Sequence, residues 1–276
     1  MSDSGQPVPR LSVVVPCFNH GPFLAEAVDS ALAQTLAELE VIVVDDGSSD
    51  PDTRRILDSF QRERTTVLRQ PNRGCSVARN AGIRAARGQY ILPLDADDRL
   101  CPDYAELAVQ ALDRDPELGI VYCHAEFFGR KSGPWRLPDF SLPGMLRGNQ
   151  IFASAVYRRA DWERVGGYCE DLLLREDYDF WLSLLELERR VLRLDPCLFQ
   201  YRKHEKARNS KSRRAKRLQE AEVYHRIRCR HAGLFARHPE VLLDWLHELE
   251  CQRLSEKEGR LGSRMSRWMR GLGGGA

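Results

Sequence analysis

The sequence predicts an α/β fold in which a mostly parallel sheet is flanked by helices and followed by a helical C-terminal extension. Two short β-branched runs end at Pro16 and at Asp45, as buried parallel strands commonly do. Between these runs, apolar residues recur at helical spacing from Phe23 to Leu32. The same alternation continues downstream, which indicates parallel strands joined by helices.

The first half of the chain is predicted to alternate strands and helices as far as Cys123. The predicted strands are Leu11–Val15, Val41–Val44, Thr66–Leu68, Tyr90–Leu94 and Ile120–Cys123. The predicted helices are Phe23–Leu32, Ser76–Ala86 and Pro102–Leu112.

The second half is less regular. Gly, Pro and Arg are frequent from Gly129 to Gly148, which predicts an irregular loop near a functional site. A strand is expected over Ala153–Tyr157, a helix over Tyr178–Leu187, and mostly helix from Ala215 onward. We therefore expect one domain over residues 1–210 and a helical extension over residues 211–276.

Composition excludes several classes of protein. The 42 basic and 40 acidic residues leave a formal net charge of +2, so a polycation that coats nucleic acid is not expected. The eight cysteines are scattered without a C-x-x-C pair, which favours reduced thiols over a zinc site or disulfides. The N-terminus from Met1 to Pro9 lacks the apolar core that a signal peptide needs, and no window approaches the length of a membrane span. These features predict a cytoplasmic protein, soluble or peripheral at the inner membrane surface.

Acidic residues follow two of the predicted strands. Asp45 and Asp46 end the second strand, and Asp95, Asp97 and Asp98 end the fourth. Ligands of open parallel sheets bind at these carboxyl ends, and carboxylates two residues apart can bind Mg²⁺ together with substrate phosphates. Alternatively, the second acidic group caps the next helix or forms a solvated turn. The first strand is followed by P-C-F-N-H-G, which is neither a dinucleotide-binding turn nor the Gly-rich triphosphate loop of a nucleotidyltransferase.

Five sequence blocks in order resemble the family 2 glycosyltransferases of the GT-A fold. They are VVVPCFN at 13–19, VVDDGSSD at 43–50, NRGCSVARNAGI at 72–83, LDADD at 94–98, and GGY at 166–168 followed by RED at 175–177. The resemblance implies a GT-A-like sheet and an inverting, metal-dependent transfer of a sugar from a nucleotide-diphosphate donor.

The resemblance also implies roles for individual residues. The expected nucleotide-sugar-binding residues are Pro16, Phe18, Asn19, Asp46, Asn72, Arg79, Asp95 and Asp97. Asp97, Asp95 and His204 are the expected ligands of Mn²⁺ or Mg²⁺, with Asp98 a further candidate. An acidic acceptor at Asp46 can bind an imide N–H, which favours UDP-sugars, with dTDP-sugars also allowed.

Asp177, with Glu176 beside it, matches the position of the general base that takes the acceptor proton. Several of these residues have simpler alternatives. Asp177 could cap the helix that follows, and Phe18 could be an ordinary core residue. Arg79 could pair with a sheet-end aspartate, and Asn72 could be a turn residue. Gly166–Tyr168 could approach the sugar or form a turn, and Trp181 could stack on a sugar or lie in the core.

The expected function is transfer of a sugar to a hydroxyl of an unidentified saccharide, lipid-linked or other acceptor. The alternative is a non-catalytic scaffold that binds nucleotide sugars. Nine Lys or Arg residues between 202 and 217 could close on the diphosphate, contact anionic lipid or be solvated. The tail from Gly259 onward has a basic amphipathic pattern that suits a membrane surface, the catalytic domain or a second subunit. Peripheral membrane contact and a homodimer thus remain open.

Overall fold

The computed structural model describes residues 8–204, 213–251, 253 and 254, with side chains of the second range described from residue 218. Its strands are β1 (Leu11–Cys17), β2 (Leu39–Asp45), β3 (Thr65–Arg69), β4 (Tyr90–Pro93), β5 (Arg99–Leu100), β6 (Leu118–Gly129), β7 (Gly133–Trp135), β8 (Val156–Arg158) and β9 (Arg190–Lys203). Its helices are α1 (Gly21–Leu32), α2 (Pro51–Asp58), α3 (Cys75–Ala85), α4 (Tyr104–Arg114), α5 (Leu142–Arg147), α6 (Arg159–Val165), α7 (Glu176–Glu186), α8 (Arg213–Arg230) and α9 (Ala232–Ala236). Residues 239–251 are also helical and are called α10.

All these strands belong to one sheet. Its order is β3-β2-β1-β4-β8-β6-β9-β5, and β7 pairs with β6 outside this path. The four strands from β3 to β4 are mutually parallel, as the alternation of strands and helices predicts. The other half is mixed: β8 is antiparallel to both β4 and β6, whereas β6 and β9 are parallel. The predicted α/β class is confirmed, with its parallel part concentrated around β1.

The helices beside the parallel strands follow their apolar spacing. Helix α1 begins next to Pro22, which suits the first turn because proline lacks the N–H that would stay unpaired there. Its buried side is formed by small and aliphatic residues, Leu24, Ala27, Val28 and Ala31. These pack against strands whose side chains are buried on both faces, β2 throughout its length.

Several parts of the structure differ from the prediction, and the strand predicted over Ala153–Tyr157 is β8, Val156–Arg158. Helix α2 was not expected because its sequence is polar; Asp50 caps it by accepting a hydrogen bond from the Thr53 backbone N–H at 2.8 Å. The predicted irregular loop from Gly129 to Gly148 contains β7 and α5. Strand β6 extends to Gly129, and β9 was not predicted. The two strands pair with each other along most of their length, and this pairing joins segments that are far apart in sequence, so no local pattern indicates it.

The C-terminal helices pack on the same core as the sheet. Val223, Ile227, Leu234 and Phe235 belong to one hydrophobic cluster with the strands and α7. The predicted boundary near residue 210 and the amphipathic tail from Gly259 lie outside the described residues. Within the described part of the chain, no helix is both long and apolar enough to cross a bilayer.

Candidate active site

The ends of β1, β2 and β4 meet at one edge of the sheet. Because β1 pairs in parallel with β2 and β4, the residues that follow these strands converge there. They border a cavity of about 520 Å³, here called the first cavity. Six of the predicted nucleotide-sugar residues line it: Pro16, Phe18, Asp46, Asn72, Asp95 and Asp97.

Phe18 and Asn19 take different roles at this edge. Phe18 is 42 % exposed, so it is not a core residue and its ring is available to a ligand. Asn19 lies at φ +59° and uses its amide oxygen to accept hydrogen bonds from the backbone N–H groups of Ser49 and Asp50, both at 2.8 Å. Asn19 therefore holds the loop after β2 and is not among the residues that line the first cavity.

Asp46 orders the loop that carries Asn72. Its carboxylate accepts hydrogen bonds from the Gln70 amide at 2.7 Å, the Arg73 backbone N–H at 2.9 Å and the Gly74 backbone N–H at 2.8 Å. A carboxylate has about four acceptor positions, so one is left for a ligand. Asp46 thus shapes the first cavity and can also accept a hydrogen bond from a ligand inside it.

Asp97 lies between two histidines. His204 Nε2 is 2.5 Å from one carboxylate oxygen, and His20 Nδ1 is 3.6 Å from the other. Burial alone would raise the pKa of Asp97, but its polar interactions with His20 and His204 outweigh burial and lower that pKa. The interaction with the Asp97 carboxylate in turn raises the pKa of His20. The structure thus brings the predicted His204 to Asp97 and adds His20, which the sequence blocks did not indicate.

Arg79 pairs with a sheet-end aspartate, which the sequence analysis gave as the alternative to ligand binding. Its buried guanidinium donates to Asp95 at 2.9 Å and to Glu176 at 2.7 Å. The arginine therefore links the acidic loop after β4 to the start of α7. Arg79 thereby holds the carboxylates of Asp95 and Glu176 in fixed positions relative to each other.

A second cavity of about 350 Å³ adjoins the first and shares Asp95 and Tyr201 with it. Glu176 and Asp177 line this second cavity. Asp177 is the second residue of α7, whose N-cap position is held by Arg175, so Asp177 is not the N-cap. The Asn149 amide donates a hydrogen bond to its carboxylate at 2.8 Å. Burial, and then the charge of Glu176, raise the pKa of Asp177 to about 6.

Residues 12–175 match the family described as Glycosyl transferase family 2. The chain belongs to this family. A chondroitin synthase of Escherichia coli is 33 % identical to it over 186 residues, which are 65 % of this chain and 27 % of that protein. The uncharacterized glycosyltransferase EpsJ of Bacillus subtilis is 32 % identical over 220 residues, 71 % of this chain and 62 % of EpsJ. The chain thus spans less than two thirds of the length of these relatives.

Solved structures share the fold. TarS of S. aureus in complex with UDP-GlcNAc is similar with a TM-score of 0.62 at 22 % identity, covering 74 % of this chain and 61 % of that chain. The mannosyltransferase PcManGT of Pyrobaculum calidifontis, in complex with GDP-Man and Mn²⁺, has a TM-score of 0.58 at 23 % identity, covering 82 % and 64 %. At these identities the similarity confirms the GT-A fold of the family 2 chain.

The donor set at Asp95 and Asp97 fits a cation shared with a ligand. In the described ranges, no three His, Cys, Asp or Glu side chains are grouped so that they could hold a metal ion by themselves. Mg²⁺ typically binds one or two carboxylates and completes its shell with water and substrate phosphates, so a closed protein cage is not required. Asp95 is already paired with Arg79. Asp97 is likewise paired with His204, so a cation bound here would share both carboxylates with the side chains already beside them.

The G-G-Y turn and Trp181 of the family 2 chain have structural roles. At φ +83°, Gly167 would place an added Cβ only 2.8 Å from Asn80 Oδ1, so a glycine is required for this close packing. Asn80 accepts from the Tyr168 backbone N–H at 2.9 Å, which docks the G-G-Y turn onto α3. Trp181 is fully buried and belongs to the core. Neither the turn nor the tryptophan contacts the cavities.

Sequence reasoning missed several residues that line or support the site. Trp135, Asn149, Tyr201 and Lys203 line the second cavity. Arg202 donates from its backbone N–H to Asp98 at 2.8 Å and from its side chain to the Asp97 carbonyl at 2.7 Å. The sequence signs of this strand end were His204 and the start of the basic run at 202, which did not assign Arg202 or Lys203 individually. The pairing of β9 with β6, which brings these residues to the site, has no local sequence pattern.

Proposed function

We propose that this chain is an inverting glycosyltransferase that moves a sugar from a nucleotide-diphosphate donor to an acceptor hydroxyl. One observation carries the proposal. A ligand cavity bordered by Phe18, Asp46 and Asp97 continues, through Asp95, into a second cavity that holds a carboxyl group with a raised pKa, Asp177. Such a paired arrangement suits a donor in the first cavity and an acceptor in the second.

UDP-sugars are the proposed donors. The remaining acceptor position on Asp46 can bind the imide N–H of uracil, and the exposed ring of Phe18 offers a surface for the base. Asp97, with Asp95 and His204, would hold Mn²⁺ or Mg²⁺ beside the diphosphate. A cation bound there neutralises charge on the departing diphosphate. The complex of TarS with UDP-GlcNAc supports a UDP-sugar, and that of PcManGT with GDP-Man and Mn²⁺ supports a nucleotide sugar bound together with a divalent cation.

The chain's own residues would perform the proton transfer. Asp177 accepts the proton of the acceptor hydroxyl while the acceptor oxygen bonds to the anomeric carbon, and the bond from that carbon to the diphosphate breaks. Asn149 orients the Asp177 carboxylate, and Arg79 keeps Glu176 and Asp95 in place. A pKa of about 6 leaves Asp177 ionised and basic at neutral pH.

The test is metal-linked binding of UDP measured by calorimetry. We expect UDP to bind more tightly with Mn²⁺ than without it, and Asp97→Ala to abolish that difference. The matched control is Asp52→Ala, an exposed aspartate on α2 away from the cavities. Metal-linked binding that persists in Asp97→Ala would refute the proposed role of Asp97. Normal UDP binding without transfer to any acceptor, and without slow hydrolysis of UDP-sugars, would favour a non-catalytic scaffold.

A further inference from the structure

At the end of β9, successive side chains lie on opposite sides of the strand. Arg202 and His204 contact the acidic loop after β4, through the Asp97 carbonyl and carboxylate respectively. Tyr201 and Lys203 contact aromatic rings on the other side of the strand, as the two-residue period of a strand requires. Lys203 is therefore separated from the side of β9 that approaches Asp97.

Tyr201 belongs to a cluster of three rings, here called the aromatic cluster. Trp135 is stacked on Phe127 with ring centroids 5.3 Å apart, and Tyr201 packs edge-on against Trp135 at 5.1 Å. Trp135 and Tyr201 line the second cavity, which Glu176 and Asp177 also line. Aromatic faces suit the C–H surface of a sugar ring, and carboxylates suit its hydroxyl groups. The second cavity thus has the surfaces that a saccharide needs.

Two lysines lie against the aromatic cluster. Lys203 Nζ is 4.6 Å from the Phe127 ring centroid and 4.4 Å from that of Tyr201. Lys131 Nζ is 5.0 Å from the Phe127 centroid. Across the described ranges, neither ammonium group lies within 4 Å of a carboxylate. Rings attract these cations but leave their N–H donors free for an anion.

The carboxylates of the second cavity are compensated differently. Four carboxyl groups line it: Arg79 pairs directly with Asp95 and Glu176, Asp98 accepts a hydrogen bond from the Arg202 backbone N–H, and Asp177 accepts one from the Asn149 amide. Each of these groups therefore has a partner other than a lysine. Lys203 is consequently a cation that lines the cavity and, among the residues that the structure describes, has no carboxylate within 4 Å of it. A ligand that brings its own negative charge would supply the missing partner, and it would gain charge-assisted hydrogen bonds.

We infer that the second cavity binds an anionic saccharide acceptor, one that carries a phosphate or carboxylate substituent, with its charge held by Lys203 and assisted by Lys131. This inference rests on the proposed function, because it names the acceptor class of that same site. Trp135 and Tyr201 contact the sugar ring, and a hydroxyl of that ring reaches Asp177. A neutral saccharide fits the rings but leaves Lys203 without an anion.

The experiment measures binding to the full chain in the presence of saturating UDP and Mn²⁺, by calorimetry. The probes are glucose 6-phosphate, glucuronic acid, methyl glucoside and inorganic phosphate. We expect the two charged saccharides to bind about tenfold more tightly than methyl glucoside, the scale of one charge-assisted hydrogen bond. Inorganic phosphate should bind more weakly than glucose 6-phosphate, because it lacks the sugar ring. Comparison of the phosphate and carboxylate probes identifies which anion is preferred.

The variant Lys203→Gln should remove the preference for charged saccharides while keeping the affinity for UDP. Lys131→Gln should reduce the preference less, since Lys131 does not line the cavity. The matched control is Arg55→Gln, an exposed cation on α2 that pairs with Asp52. Equal binding of charged and neutral saccharides, with UDP still bound, would overturn the inference and leave the proposed function intact.

Two further results would also decide the matter. A loss of UDP affinity in Lys203→Gln as large as the loss for glucose 6-phosphate would assign Lys203 to the donor and overturn the inference. If inorganic phosphate binds as tightly as glucose 6-phosphate, the sugar ring contributes nothing to binding, and the inference that the site binds a saccharide is refuted. Failure of UDP to bind the unmodified chain would instead overturn the proposed function and, with it, the acceptor site.

Discussion

The ionisation of Asp177 predicts how transfer depends on pH. A general base must be deprotonated, so the rate should rise with pH through the pKa of Asp177, which is about 6. With that value the ionised fraction is about 0.9 at pH 7 and about 0.1 at pH 5, so the rate should fall roughly tenfold between them. Turnover is measured as UDP released from a UDP-sugar at saturating donor and metal.

The variant Glu176→Gln tests the cause of this raised pKa. Burial is the largest cause, and the negative charge of Glu176 is the next. Removing that charge should lower the pKa of Asp177 by about one unit, equivalent to ~1.4 kcal/mol, because the carboxylate then has one fewer like charge nearby. The acid limb of the rate profile should therefore move to lower pH. Glu163→Gln on α6, which pairs with Arg159 away from the cavities, is the matched control.

Asp177→Asn separates catalysis from a structural role. We expect turnover to fall by ~10² or more with UDP affinity retained, since a general base acts on the acceptor proton. The free energy of unfolding at pH 7 should not fall, because a raised pKa means that the folded protein disfavours the charged carboxylate. An acid limb that stays near pH 6 in Glu176→Gln, or normal turnover in Asp177→Asn, would refute this assignment.

Two further predictions concern ion pairs around α7. Arg79→Met should lower the free energy of unfolding by ~3 kcal/mol, because the loss of a buried partner leaves Asp95 and Glu176 unpaired. Urea denaturation measures this loss of stability, and an unchanged midpoint would contradict the prediction. Burial tends to lower the pKa of His231, but hydrogen bonds with Asp179 and Glu186 outweigh it and raise that pKa. The folded pKa then exceeds the unfolded value of 6.5, so this stabilisation is complete below pH 6.5 and disappears as pH rises through the folded pKa. His231→Gln should accordingly cost ~2 kcal/mol at pH 6 and less at pH 9, whereas a pH-independent cost would contradict the assignment.

The first cavity could be predicted from the sequence because its residues follow local rules. β-branched runs identify β1, β2 and β4, and parallel pairing brings their carboxyl ends to one edge. Asp46, Asp95 and Asp97 therefore had to lie near each other. Asn19 shows the limit of this argument, since a residue can follow a strand end and still point its side chain into the neighbouring loop.

The second cavity could not be predicted in the same way, because long-range contacts build it. Arg79 meets Glu176 across 97 positions of sequence, and nothing around Arg79 distinguishes a diphosphate ligand from an ion-pair partner. Strand β9 is partly exposed and lacks a regular apolar pattern, so Tyr201 and Lys203 become neighbours of Trp135 only after β9 pairs with β6. The first cavity thus depends on local sequence, whereas the second cavity depends on tertiary pairing.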